Sequence, residues 1–124
     1  IDDKLIVSTG TDDDLDLSLS FLLNHKKIEG ILVLDELTSV RVMKIVKSRG
    51  YHVPNDISII GFTNGELSKF VSPALTMISQ HGSYIGETSA TILINRIENE
   101  EKHYHFETRT IKTSLIVRES TLKL

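Results

Sequence analysis

The sequence predicts an α/β domain, a parallel sheet flanked by helices, and three observations carry that expectation. Short apolar runs at 31–34 and 57–62 are separated by stretches of helical period. The order strand, helix, strand, helix, strand over the first 62 residues demands parallel pairing through right-handed crossovers. Finally, Ile31-Leu-Val-Leu34 is uninterrupted, the pattern of a strand covered on both faces.

The elements follow in order. Lys4-Leu-Ile-Val-Ser-Thr9 is a β-branched run closed by Gly10 and reads as a first strand. Thr11 and the acidic trio Asp12, Asp13 and Asp14 form a helix N-cap signal. Leu15, Leu19, Leu22 and Leu23 then make one stripe of a helix over 13–27, with Lys26 and Lys27 in the last turn where the macrodipole favours cations. After the strand at 31–34, the residues Leu37, Val40, Met43, Ile45 and Val46 predict a helix over 37–49, stopped by Gly50. A turn at 53–56 leads into the buried strand 57–62. Residues 67–70 suit one helical turn ended by Ser72-Pro73, and 75–80 alternate as a strand. A helix over 84–97, with Gly82 or Ser83 near its cap, and two strands at about 104–112 and 114–118 around Lys112-Thr113 complete the chain.

Composition narrows the function. The 124 residues are 40% hydrophobic and 25% charged, which describes one ordinary globular domain. The absence of cysteine excludes a disulfide scaffold, a zinc–cysteine module and a thiol nucleophile. Residues 1–16 hold six Asp and one Lys, net −5; the other 108 hold 13 basic and 11 acidic residues, net +2. Neither part has the Lys/Arg stripe that gripping several phosphates requires, so these residues are not expected to hold nucleic acid by themselves. No apolar run approaches the roughly 20 residues of a membrane span, and the acidic start is unlike a signal peptide. The expectation is a cytoplasmic piece of a longer protein, since the chain begins with Ile.

In an open parallel sheet, ligands bind beyond the carboxyl ends of the strands. Residues 9–13, Asp35, Glu36, Thr63 and Asn64 form a polar rim there, suited to a polyhydroxylated ligand or a cation, although post-strand loops are polar in any α/β domain. The acidic trio has two readings: a helix cap, which is favoured, or with Asp35 a magnesium site like that of a phosphoacceptor receiver domain. Against the receiver, Phe62 is followed by Thr63-Asn64-Gly65 rather than by a lysine. His103 and His105 share one face of the proposed strand, a weak zinc hint against the more ordinary reading of a solvated edge. The sequence contains no nucleophile elbow, phosphate-cradling glycine loop or His-Glu-x-x-His motif, so no enzyme, metal or cofactor is expected.

Four segments together carry a resemblance: Val53-Pro-Asn-Asp-Ile-Ser-Ile-Ile-Gly-Phe62, Ser72-Pro-Ala-Leu-Thr-Met-Ile-Ser-Gln80, the helix from Gly86 to Arg96-Ile97, and Ser114-Leu-Ile-Val-Arg-Glu-Ser120. In order and spacing they resemble the C-terminal third of LacI/GalR-type transcriptional regulators, and Asp35-Glu36-Leu37 with Gly50 fits that family's Asn-Asp helix start. The resemblance implies one lobe of a type I periplasmic-binding-protein-like core that binds a small effector, a sugar by preference, in a cleft. It places 1–80 in the C-terminal lobe, 81–105 in the N-terminal lobe and 106–124 in strands returning to the C-terminal lobe. Operator DNA would be held by a headpiece outside these residues. Positions matching the family's effector contacts are Asp35, Thr63, Gln80 and the loop from Thr9 to Thr11; Thr63 stands where an Asp is usual, so either Asn64 or Asp35 would take over its role or the effector differs. Val40, Met43, Lys44, Lys47 and Phe70 match a homodimer interface, unless Val40 and Met43 simply pack on the sheet. The alternatives are a periplasmic sugar-binding protein of the same architecture and, from another class, the receiver domain.

Overall fold

The computed structural model describes residues 2–8, 10–25, 27–98 and 106–122. Helix α1 spans Asp12–His25, strand β1 Gly30–Val33, α2 Glu36–Ser48, β2 Ser58–Phe62, α3 Leu67–Phe70, β3 Thr76–Ser79, α4 Gly82–Glu98 and β4 Ser114–Ile116. The four strands form one sheet in the order β1-β2-β3-β4. The first three are parallel and β4 runs antiparallel to β3, with Ile78 opposite Leu115. The α/β class and the parallel order of the central strands agree with the sequence reading.

The core lies on one side of the sheet. Leu15, Leu19 and Leu23 of α1 and Val42, Met43 and Val46 of α2 pack with Val33, Ile57, Ile59, Leu75 and Met77. Met43 is only 3% exposed, so the half of the earlier alternative that packs it onto the sheet is the observed one, and its side chain belongs to the core. Val40 is half-buried against the same cluster. Helix and sheet approach closely at Gly61. A β-carbon there would overlap the Met77 sulfur and lie 2.5 Å from the hydroxyl of fully buried Ser39, so two small residues let α2 settle on β2. Ser39 satisfies its hydroxyl by donating to the Asp35 carbonyl at 2.5 Å.

Several expected boundaries differ. Residues 4–8 join no ladder; Asp3–Leu5 is a single 3-10 turn whose cap Asp2 accepts from the Lys4 N–H, and Thr9 lies outside the described residues. β1 is the edge strand, and a β-branched run becomes a strand only where a neighbour offers a ladder. α1 ends at His25 rather than at 27. Residues 106–112 are not strand, because β3 is four residues long and pairs with only three of the returning chain; 104 and 105 lie outside the described residues, as do His103 and His105. β1 is covered on one face only: Leu32 is 59% exposed. The long helix α4 contains no buried residue.

The tail after β4 staples the strand starts. Ser120, fully buried, donates to the Ile59 carbonyl at 2.6 Å and accepts from the Thr76 N–H at 2.8 Å, while its own carbonyl accepts from the Ile59 N–H at 2.9 Å. Glu119 accepts from the Ala74 N–H at 2.9 Å. The last part of the Ser114–Ser120 segment is thus used as hydrogen-bonding partner for β2 and β3.

Asp35 caps α2, its carboxylate accepting from the Thr38 N–H at 2.8 Å. Hydrogen bonds from the Thr38 side chain, then from its backbone, hold the Asp35 carboxyl below its ordinary value. A depressed folded value means that the stabilisation is complete above the unfolded aspartate range, about 4, and disappears as pH falls through the folded value. We expect Asp35→Ala to lower unfolding free energy by about 0.5–2 kcal/mol at neutral pH. In urea titrations the gap from the parent should close progressively below pH about 4; a gap that persists there would mean the charge is not the cap's active element.

Candidate functional site

Because β1, β2 and β3 are parallel, their carboxyl ends open on one edge, and Asp35, Thr63 and Gln80 follow them there. Thr63 and Gln80 meet directly, the Gln80 amide donating to the Thr63 hydroxyl at 3.3 Å. Thr63 is exposed and its N–H donates to the Ile78 carbonyl at 3.0 Å, continuing the β2–β3 ladder past the strand end. Its φ is 69°, the left-handed region, which is unfavourable for a β-branched residue. Strain at the end of a central strand is of the kind that marks binding loops, costing of order 1–3 kcal/mol.

The other candidates divide. Asp35 stands at the same edge but spends one carboxylate oxygen on the Thr38 N–H. Asn64 is turned inward: its side-chain oxygen accepts from Arg118 at 2.6 Å. Thr11 caps α1, accepting from the Asp14 N–H at 3.2 Å and donating to the Asp14 carboxylate at 2.6 Å. The cap is therefore Thr11 with Asp14 in support. That uses one member of the acidic trio structurally, and Asp35 is occupied at α2. Among the described residues, no group of three or more His, Asp or Glu side chains converges on a metal position.

Two residues gain a place that the sequence reading did not assign. Arg118, following β4, donates to the Leu75 carbonyl at 2.6 Å, to Ser68 Oγ at 3.2 Å and to Asn64. Ser68, fully buried, donates its N–H to Glu36 at 2.8 Å and its hydroxyl to the Gly65 carbonyl at 2.8 Å. The available signal was an arginine set directly after an apolar strand, in a segment quoted only for its resemblance. A groove of about 440 Å³ lies elsewhere, between residues 4–8 and α1, lined by Ile6, Val7, Leu17 and Phe21 among others, and contains none of the strand-end residues.

What this edge can do chemically is hydrogen bonding. It offers a hydroxyl, amides and a carboxylate at the strand ends, and beside them Ser114 Oγ lies 3.0 Å from His81 Nε2. Among the described residues no helix is long and apolar enough to cross a membrane.

Comparison with known proteins places this architecture. Residues 6–121 match the periplasmic binding protein-like domain. The HTH-type transcriptional repressor PurR of Aliivibrio salmonicida is 33% identical over 98 residues, which are 79% of this chain and 29% of that protein. The lactose complex of a LacI family transcriptional regulator from Arthrobacter sp. FB24 superposes with a TM-score of 0.81 at 27% identity, covering 94% of this chain and 44% of that one. A LacI family transcriptional regulator from Enterococcus faecium with bound ribose gives 0.76 at 26% identity, covering 92% and 41%. The chain spans about a third of the length of the curated relatives it matches.

The strain at Thr63 yields a measurable outcome. Asn is enriched in the left-handed region, so Thr63→Asn should raise unfolding free energy by up to about 1 kcal/mol even though the hydroxyl to Gln80 is lost. A lower urea midpoint for the variant would show that the Gln80 contact outweighs the backbone strain.

Proposed function

We propose, from the premise that this chain belongs to the periplasmic binding protein-like domain family carried by LacI-type transcriptional regulators, that it senses a polyhydroxylated small molecule, a sugar by preference, at the carboxyl edge of its sheet. One observation carries the reading. Thr63 and Gln80, each just past the end of one of two adjacent strands, are joined at the edge where an open α/β sheet takes its ligand. The bound lactose and ribose of the two solved relatives support the ligand class. Asp35, Thr63 and Gln80 form the effector contacts, joined by the loop of Thr9 and Thr11, while Asn64 supplies its amide. The mechanism is non-enzymatic: the ligand favours one of two lobe arrangements, by no more than its differential affinity for them, and operator DNA is gripped by sequence outside these 124 residues. In the cytoplasmic protein so proposed, 1–80 and 106–124 make one lobe, while 81–105 crosses to the other. The support for that crossing is α4, long, apolar in part, and without a buried residue.

Homodimerisation belongs to the same reading. Leu37, Val40, Lys44 and Lys47 follow one another at three- and four-residue spacing along α2, the geometry of one helix face. Phe70 at the end of α3 is 81% exposed, an apolar anchor next to that face. Lys47 donates to the Ser72 carbonyl at 2.6 Å, which ties α2 to the segment after α3. Met43 drops out of the set because its side chain is in the core.

Two measurements check these proposals. Asparagine caps a helix about as well as aspartate, so Asp35→Asn keeps the fold while removing the charge. With D-ribose as calorimetric probe, the parent should bind and Asp35→Asn should bind about 5–10-fold more weakly, the loss of a charge-assisted hydrogen bond; unchanged affinity would remove Asp35 from the site. Phe70→Asp should convert a sedimenting dimer into a monomer at micromolar concentration, and an unchanged dimer would remove Phe70 from the interface.

A further inference from the structure

We infer that Arg118 and Glu36 are positioning residues that clamp the loop 63–68 from two sides, and that Arg118 sets the specificity of the edge by presenting Asn64 as a donor. The inference rests on the effector-site reading of Thr63 and Asn64. A guanidinium has donors only, so the atom of Asn64 that faces Arg118 must be the oxygen. The Asn64 Nδ2 group therefore turns the other way, and among the described residues no hydrogen bond engages it. Beside β2 the edge thus offers the Asn64 N–H groups and the Thr63 hydroxyl. Its ligand must bring acceptor oxygens to this position.

The second jaw is Glu36. Its carboxylate accepts the Ser68 N–H at 2.8 Å and lies against Gly65, where a β-carbon would overlap it. Gly65 has no left-handed φ, so its lack of a side chain serves this contact alone. Ser68 is the hinge pin of the clamp. It meets Glu36 through its N–H, Gly65 and Arg118 through its hydroxyl, and the Leu75 N–H through its carbonyl at 2.9 Å. The two charges thus grip one buried serine without touching each other, and the loop between β2 and α3 inherits its position from both α2 and the tail after β4.

The test combines amide hydrogen exchange with D-ribose calorimetry on the full chain. In Arg118→Met, exchange at 64–68 should accelerate about tenfold or more while β1 and β2 amides keep their rates, and Arg118→Lys should recover part of the protection. Gly65→Ala, which displaces only the flexible end of Glu36, should accelerate exchange at Ser68 in the same way. Asn64→Asp separates positioning from specificity: it retains the grip of Arg118, so protection should hold, but it removes the donors, so ribose affinity should fall about tenfold or more. Unchanged exchange at 64–68 in Arg118→Met would overturn the clamp whatever the ligand. Unchanged ribose affinity in Asn64→Asp would overturn the donor assignment. A parent chain that ignores ribose would instead defeat the sugar reading of the edge and leave the exchange result to decide the clamp.

Discussion

The contact on which most else depends is the seating of α2 on β2 through Ser39 and Gly61. Neither residue contributes much buried apolar area, and the energetic weight of the core lies in Val42, Met43, Val46, Ile59 and Met77 around them. What the small pair contributes is distance. A β-carbon at position 61 would overlap the Met77 sulfur and crowd the Ser39 hydroxyl, so the side chains beneath the N-terminus of α2 would have to repack. That end of α2 carries Asp35 and Glu36, one at the strand edge and one against the loop 63–68. The buried Ser39 hydroxyl carries no desolvation penalty, because the carbonyl of its own helix cap accepts from it.

From this seating the polar edge takes its character. Residues that look interchangeable along the sequence are assigned separate tasks by hydrogen bonding. Thr11 and Asp14 hold the start of α1, Asp35 holds the start of α2, and Asn64 is held by Arg118, leaving Thr63 and Gln80 as the pair facing each other at the ends of β2 and β3. The cap does not exhaust Asp35, since a carboxylate has about four acceptor sites against the Thr38 and Leu37 donors. Pre-placed groups of this kind bind with little ordering cost, and the strained Thr63 backbone is tolerated because the ladder to Ile78 and the loop beneath it determine its position together.

Large apolar side chains are left open on the edge strand β1 and along α4. Leu32 of β1 and Leu93 and Ile97 of α4 are more than half exposed. Contiguous exposed apolar surface of this kind marks places where another surface can pack.

Local pattern was enough for much of the architecture. The leucine stripe of α1, the glycine stop at Gly50, the apolar runs of β1 and β2 and the Ser72-Pro73 break each act within a few residues, so the elements and their parallel order could be read directly. The same holds for the post-strand positions of Asp35, Thr63 and Gln80, which follow from chain order in any parallel sheet. Pairing and burial are different, because they depend on partners distant in sequence. The β-branched run at 4–8 is not a strand because no ladder reaches it, and Met43 is core because of where α2 lands. Likewise, Asn64 turns inward because an arginine 54 residues further along the chain donates to its side-chain oxygen. The amino-acid order by itself determined the class of fold and which end of the sheet is polar; only the tertiary structure decided which of those polar groups are tied to distant segments, since a hydrogen bond between segments is set by three-dimensional packing and not by local propensity.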